Sequence, residues 1–325
     1  MVIAVILAWW FPAPGAEGGI LQPELMTDLG VALIFFLHGI SLSFSALRDG
    51  LLQWKQHLLV QSCVFLLFPL VGVALFWGLH GLLPEDLRIG LLFLCALPST
   101  VSSSVALTAT ANGHIPIALF SATISSLLGV VLTPLWMMLA VKSGESSGSL
   151  MNVVFNLFLM LVLPLIVGQL CRPWLASWGQ RNKKLINNID RLIILFLIYT
   201  SFCDSFVMGV WTNSGLVSVC SVCLLSLLIF SGLFWSIWRI CLLLRLPEAN
   251  RIAILFCGSK KSLATGIPMA QVMFSGHPGM GLILLPIMIY HPLQLVICGV
   301  MANRWKNSSA ETSGLAETLP ESPQD

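Results

Sequence analysis

Apolar residues run in long blocks along this chain, and polar residues are confined to short connections between them. The blocks divide into ten segments: 1–14, 28–47, 57–80, 87–110, 115–141, 151–171, 190–210, 215–243, 250–272 and 279–303. A helix rises 1.5 Å per residue, so about 20 apolar residues cross the hydrocarbon core of a bilayer. Every segment but the first reaches that length, and 215–243 has residues to spare for tilting. The pattern predicts an all-α polytopic membrane protein. Segment 1–14 is too short to span, and it has neither a basic start nor a clear cleavage site, which argues against a signal peptide. It is expected to be the remainder of a first helix that begins upstream.

Two segments depart from the pattern. The fourth contains Leu97-Pro-Ser-Thr-Val-Ser-Ser-Ser-Val105, and the ninth contains Gly258-Ser-Lys-Lys-Ser262 followed by Gly266-Ile-Pro268. Proline removes a backbone donor, and serine hydroxyls bond the carbonyls this frees. Both segments are expected to be discontinuous helices. Broken backbone at mid-membrane is tolerated only where protein or a water-filled cavity surrounds it. The ninth segment also carries Lys260 and Lys261, and a charge at the bilayer centre costs about 2.5–3.5 kcal/mol on insertion scales. Interruptions at matching positions in two halves of a chain point to a binding site between them.

Composition agrees. Of 325 residues, 57% are hydrophobic and 9% charged, against about 25% charged in soluble domains. Mean hydropathy is +0.92. The net charge of +2 matters less than where the charges lie. If the N-terminus is cytoplasmic, the cytoplasmic connections carry twelve of the sixteen basic residues: Arg48, Lys55, five between 172 and 191, Arg239, Arg245, Arg251, Arg304 and Lys306. Arg88, Lys142 and the acidic residues Glu17, Glu24 and Asp28 then lie outside. This asymmetry predicts both termini inside, in a bacterial inner membrane. The basic stretch Arg172–Asp190 reads as a central loop between two halves of five segments, the second inverted relative to the first. Identity between the halves is slight, so the matched interruptions carry that inference. The stretch Asn307–Asp325 reads as a disordered cytoplasmic tail. The nine cysteines read as small apolar packing residues. No P-loop, G-x-S-x-G or metal cluster appears, so neither an enzyme nor a resident cofactor is expected.

The polar residues inside segments are the candidates for chemistry. Neighbours on a helix point about 100° apart, so Lys260 and Lys261 share one interior only if the helix unwinds there. A lysine at that place can stand in for a bound cation, receive an anionic group of a substrate, or carry a proton. It can also simply neutralise helix C-termini. The oxygens beside it come from Ser102, Ser103 and Ser104 in the fourth segment, Ser121, Thr123 and Ser125 in the fifth, and Ser259 and Ser262 in the ninth. Asp204 is a proton carrier, a partner for a lysine or cationic solute, or a hydrated carboxylate near a span end. His38 and His291 either line a cavity or make structural hydrogen bonds.

Phe35-Phe-Leu-His-Gly39, Leu97-Pro-Ser-Thr-Val-Ser-Ser-Ser104, Phe256-Cys-Gly-Ser-Lys-Lys-Ser-Leu-Ala-Thr-Gly-Ile-Pro268, Arg181-Asn-Lys-Lys184 and Leu285-Pro-Ile-Met-Ile-Tyr-His291 together resemble the bile acid:sodium symporter superfamily, specifically its SBF-like subgroup. The ninth-segment motif is the most specific of these. The resemblance implies ten transmembrane helices in two inverted five-helix repeats. It implies a panel domain (1–56 and 151–213) and a core domain (57–141 and 214–304), with 305–325 as the tail. Helices four and nine are implied to cross at unwound centres. It further implies secondary active transport by alternating access, with a small organic anion as cargo, either sterol-like or a carboxylated metabolite. Membrane lipids surround the protein and nucleic acid plays no part. In sodium-coupled members, Na⁺ binds beside the crossing through oxygens of helices four and five and a Glu and Gln of helix nine. Here Na⁺ would sit near Ser103 and Ser104, yet the ninth segment has no Glu and holds Ser259-Lys260-Lys261 instead. Proton-coupled or uncoupled transport, and a membrane regulator or scaffold that moves no solute, are the alternatives.

Overall fold

The structure, a computed structural model, describes residues 2–41, 53–140, 158–209 and 215–317. Arg48 and Lys142 lie outside the described residues. The elements are α1 (Val2–Trp10), α2 (Pro23–Ser41), α3 (Trp54–Gly78), α4 (Glu85–Ala96), α5 (Ser102–Thr110), α6 (Ile115–Ala140), α7 (Leu163–Arg181), α8 (Lys183–Val207), α9 (Gly215–Leu243), α10 (Glu248–Ser259), α11 (Leu263–Met273) and α12 (Met280–Glu317). No strand occurs among the described residues. Among the described residues seven helices, namely α2, α3, α6, α7, α8, α9 and α12, are long and apolar enough to cross a membrane.

Both expected interruptions are present. The fourth segment is α4 and α5 separated by an extended turn that starts at Leu97 (φ −65°, ψ 151°). The ninth is α10 and α11 separated at Lys260–Ser262, with Lys260 extended (φ −100°, ψ 145°). Gly266-Ile-Pro268, expected to help break the ninth segment, lies instead inside α11. Pro268 sits at the middle of that short helix, where its missing N–H forgoes one intrahelical bond, the one to the Ala264 carbonyl.

Two other expectations are corrected. Arg172–Asp190 is not a loop, because α7 runs to Arg181, α8 starts at Lys183, and Asn182 alone turns the chain. Basic and polar residues extend these helices beyond their apolar stretches. The tail expected to be disordered continues α12 as far as Glu317. No proline interrupts it before Pro320, and 318–325 lie outside the described residues.

The helices pack in two groups. α1, α2, α7 and α8 pack on one another, and α3–α6 pack with α9–α12. Gly39 and Gly168 bring α2 and α7 to backbone contact, since a Cβ on either would collide with the other helix's main chain. The groups meet through α8 against α11 and α12, and α2 against α11.

The structure exposes an internal repeat. α4 begins within Leu83-Pro-Glu-Asp-Leu-Arg-Ile89 and α10 within Leu246-Pro-Glu-Ala-Asn-Arg-Ile252. Each helix is 12 residues long and begins after a proline of near-identical conformation, φ −52°, ψ 146° at Pro84 and φ −54°, ψ 147° at Pro247. Arg88 lies 5.0 Å from the Phe76 ring and Arg251 lies 5.1 Å from the Trp238 ring, each on the helix before. At matching spacing a Gly-His pair follows each second half-helix. His277 approaches Asp86 at 3.7 Å, and the His114 amide bonds the carbonyl of Ala249, which is the repeat equivalent of Asp86, at 2.9 Å. The start of each broken unit thus touches the end of the other, so the two run antiparallel.

Candidate functional site: where the broken helices cross

Ending a helix leaves its last carbonyls unpaired, and burial makes that costly. At the end of α4 each released carbonyl finds a donor from elsewhere. The Ala96 carbonyl accepts from Thr133 Oγ1 at 2.8 Å, and Pro98 O accepts from the Ser262 amide at 2.9 Å. The carbonyls of Cys95 and Leu97 both accept from Lys261 Nζ, each at 2.7 Å. The Pro98–Ser262 bond joins one break directly to the other.

Lys261 takes a third carbonyl from α3, Val64 O at 3.1 Å. Pro69 explains why that oxygen is free. With no N–H at 69, the helix slips into a π turn over Cys63–Leu67, and the Phe68 amide bonds Cys63 O rather than Val64 O. Phe65 O, the other carbonyl that loses a donor to Pro69, accepts from Trp136 Nε1 at 2.8 Å. The ammonium also stands 4.2 Å from the Phe68 ring centre. All three N–H donors of Lys261 are therefore used. The charge sits at the C-terminus of α4, where the helix dipole favours a cation.

The Lys261 peptide is held as firmly as its side chain. Gln294 accepts from its amide and donates to its carbonyl, both at 2.8 Å, and Gln294 Nε2 is 3.1 Å from His291 Nδ1. At the end of α10, the Ser259 carbonyl accepts from Tyr290 OH at 2.8 Å, and the Phe256 carbonyl from Ser104 Oγ at 3.2 Å. Lys260 differs. It is equally buried, at 0% exposure, and its Nζ has no hydrogen-bond partner among the described residues.

The remaining candidates separate into those at the crossing and those away from it. Ser125 Oγ accepts from the Ser99 amide at 2.9 Å in the first break. Ser103 and Ser104 each bond Thr100 Oγ1, at 2.9 and 3.1 Å. Ser259 bonds back to Leu255 O at 2.6 Å, and Ser262 caps α11 by accepting the Thr265 amide at 3.3 Å. Ser121 belongs to a neighbouring contact with His57 Nδ1 at 2.7 Å. Thr123 is half-buried and Ser102 is exposed. The oxygens on Lys261 Nζ are thus backbone carbonyls and not the expected serines. Asp204 is away from both lysines and accepts the Glu17 amide at 2.8 Å. His38 faces Asp190 at 3.6 Å within the smaller group. Among the described residues no group of His, Cys, Asp or Glu is set to hold a metal. Tyr290, Thr133, Thr100 and Pro69 complete the crossing and carry no signal as isolated residues.

Residues 1–307 match one family of sequences throughout. The chain belongs to the SBF-like CPA transporter family. Within it, protein PA2026 of Pseudomonas aeruginosa is 38% identical over 329 residues, covering 99% of this chain and 95% of that protein. YfeH of Escherichia coli, provisionally named a symporter, is 38% identical over 323 residues, covering 98% and 95%. Sodium/bile acid cotransporter 7-B of Xenopus laevis is 33% identical over 308 residues, covering 93% and 88%. As a family member with several membrane-crossing helices, the chain is a multi-pass membrane transporter.

Proposed function

We propose that this transporter moves a small organic anion by alternating access and that the Lys261 ammonium takes the place of a coupling cation. The observation that carries the reading is the threefold bonding of Lys261 Nζ to Cys95, Leu97 and Val64 carbonyls at the crossing. Carbonyl oxygens at the end of a half-helix are what a transporter offers a bound Na⁺. Here an ammonium already engages them, and the ninth segment has no carboxylate to balance a second cation. The hydroxyls of Ser103 and Ser104 are engaged with Thr100 and the Phe256 carbonyl.

The proposal extends to the architecture. Two inverted repeats of five helices account for the duplicated Pro-Glu helix starts, the antiparallel broken units and the basic residues on alternate connections. α1, α2, α7 and α8 would form the panel and the rest the core, in a bacterial inner membrane with both termini cytoplasmic.

Names of relatives that include sodium favour one other reading, Na⁺-coupled uptake. Flux into proteoliposomes separates the two. Radiolabelled taurocholate, benzoate, pyruvate and succinate serve as probes, under an inward Na⁺ gradient, an equal K⁺ gradient or a pH gradient. Flux that ignores replacement of Na⁺ by K⁺ is expected. Flux that needs Na⁺ would establish the coupled reading, and no flux of any probe would favour a scaffold.

A further inference from the structure

α7 and α8 form a hairpin that turns at Asn182 alone, and both helices run past their apolar stretches to reach it. α7 is peripheral, with only 11% of its span buried. Leu170, Trp174 and Trp178 are exposed along it, Trp174 at 77%, and the exposed Arg181 follows them. Positions three and four apart lie one above the other on a helix, so these four form one stripe. Apolar side chains exposed on a membrane-crossing helix face lipid, and tryptophan settles at headgroup depth. Trp174 and Arg181 are seven residues apart, about 10 Å along the axis. A headgroup layer is about 5–8 Å thick. The stripe therefore passes from the acyl chains through the headgroups and ends on a cation.

The charges near the turn are of one sign. Between Leu170 and Leu192 stand five basic residues, Arg172, Arg181, Lys183, Lys184 and Arg191, against one acidic residue, Asp190. Asp190 faces His38 at 3.6 Å. All the basic residues but Arg172 are exposed. Lys184 and Arg191 are also seven residues apart, two turns of α8, and so share a face. Arg191 lies nine residues from the turn and Trp174 eight, which brings cation and indole to similar depth on the two helices.

We propose that the α7–α8 turn is a docking surface for an anionic phospholipid. Its phosphate lies among Arg181, Lys183 and Lys184, and an acyl chain lies along Leu170 and Trp174. Arginine meets phosphate oxygens as a fork and lysine meets them as a point charge. A zwitterionic headgroup brings its own ammonium and gains little from such a cluster. Each Lys or Arg beside an anionic bilayer surface strengthens attraction by a factor of about five, so three together should favour the anionic lipid by more than tenfold. The surface is independent of which solute is moved and of how its movement is coupled.

Lipid counting tests the surface. The full-length protein is delipidated in a neutral detergent and titrated at fixed salt with phosphatidylglycerol and phosphatidylcholine of the same acyl chains. Bound lipids are counted by native mass spectrometry. Arg181→Gln/Lys183→Gln/Lys184→Gln is compared with the parent and with Arg239→Gln/Arg304→Gln/Lys306→Gln, which removes as many exposed cations from other helices. Exposed substitutions of this kind leave folding intact. Parent and control should retain phosphatidylglycerol over phosphatidylcholine by about tenfold or more, and the hairpin variant should lose at least fivefold of that preference. Equal losses in the two triple variants would overturn the proposal, since the attraction would then be spread over the whole basic surface. No preference in the parent would overturn it too and leave the turn to a protein partner. Quenching by brominated lipids fixes the place. Brominated phosphatidylglycerol should quench more tryptophan emission than its phosphatidylcholine counterpart, and that excess should vanish in Trp174→Phe/Trp178→Phe. An excess that survives would put the lipid elsewhere and overturn the assignment. Any of these failures would leave the proposed transport function standing.

Discussion

Replacing Lys261 by methionine should be far more damaging than the same change at its neighbour. Lys261→Met removes three charge-assisted hydrogen bonds and the cation at the end of α4, and it strands the carbonyls of Val64, Cys95 and Leu97 in a dry interior. Hydrogen bonds to charged groups contribute about 1.5–3 kcal/mol each, but burying the ammonium offsets much of that. Removing one partner from a buried ionic contact costs about 3–5 kcal/mol, chiefly through the groups left behind. At roughly 2–4 °C per kcal/mol for a large domain, the fall in Tm is on the order of 10 °C. Lys260→Met removes a buried ammonium that has no hydrogen-bond partner among the described residues, so burial becomes easier and no acceptor there is orphaned. Its Tm should stay level or rise. Thermal unfolding of both purified variants in one detergent, followed by tryptophan fluorescence, reads the difference. Equal falls, or the larger fall in Lys260→Met, would refute the assignment of Lys261 as the fixed cation.

Other outcomes follow from the same geometry. Gly129→Ala puts a Cβ 2.6 Å from the Pro98 ring, so it should push the first break apart and cost about 1–3 kcal/mol by overpacking, measured as a lower Tm; no change would mean that Pro98 is not held there. Gln294→Leu deletes both bonds to the Lys261 peptide and should destabilise by about 1–3 kcal/mol, with faster amide exchange confined to residues around the second break. Arg88→Met and Arg251→Met each remove a ring contact at the start of a broken unit, and Arg88→Met also removes the hydrogen bond to Phe76 O at 3.0 Å, so both should lose stability, Arg88→Met by about 1 kcal/mol more; no loss in Arg251→Met would argue against the repeat. Asp204→Asn keeps an acceptor for the Glu17 amide and leaves the crossing untouched, so flux at fixed pH should persist, whereas its abolition would return Asp204 to the candidates for proton coupling.

The helices and both breaks were legible in the chain because each depends on local chemistry. Apolar length sets the spans, and Pro98, the serines and Ser259-Lys-Lys-Ser262 set the interruptions. The burial of both lysines also followed, since the expense of exposing them to lipid leaves few alternatives. What escaped depends on long-range pairing. Nothing near Lys261 in sequence announces the carbonyls of Val64, Cys95 and Leu97, the first of which is freed by Pro69 on another helix. Serines looked like the obvious oxygens, but their hydroxyls are taken by Thr100, His57, the Ser99 amide, the Phe256 carbonyl and their own helices. The repeat was readable all along in Leu-Pro-Glu-x-x-Arg-Ile and the later Gly-His, but two short matches in a hydrophobic chain gain meaning only when both start helices of equal length. Arg172–Asp190 misled because polar composition marks where a helix leaves the bilayer, not where it ends.

The most direct measurement is equilibrium binding of ²²Na⁺ to the purified protein, with unlabelled Na⁺ as competitor. An ammonium fixed on the crossing's carbonyls predicts no saturable binding. Saturable, competable binding to the unaltered chain would show that a sodium ion has its own place, and that Lys261 does not fill it.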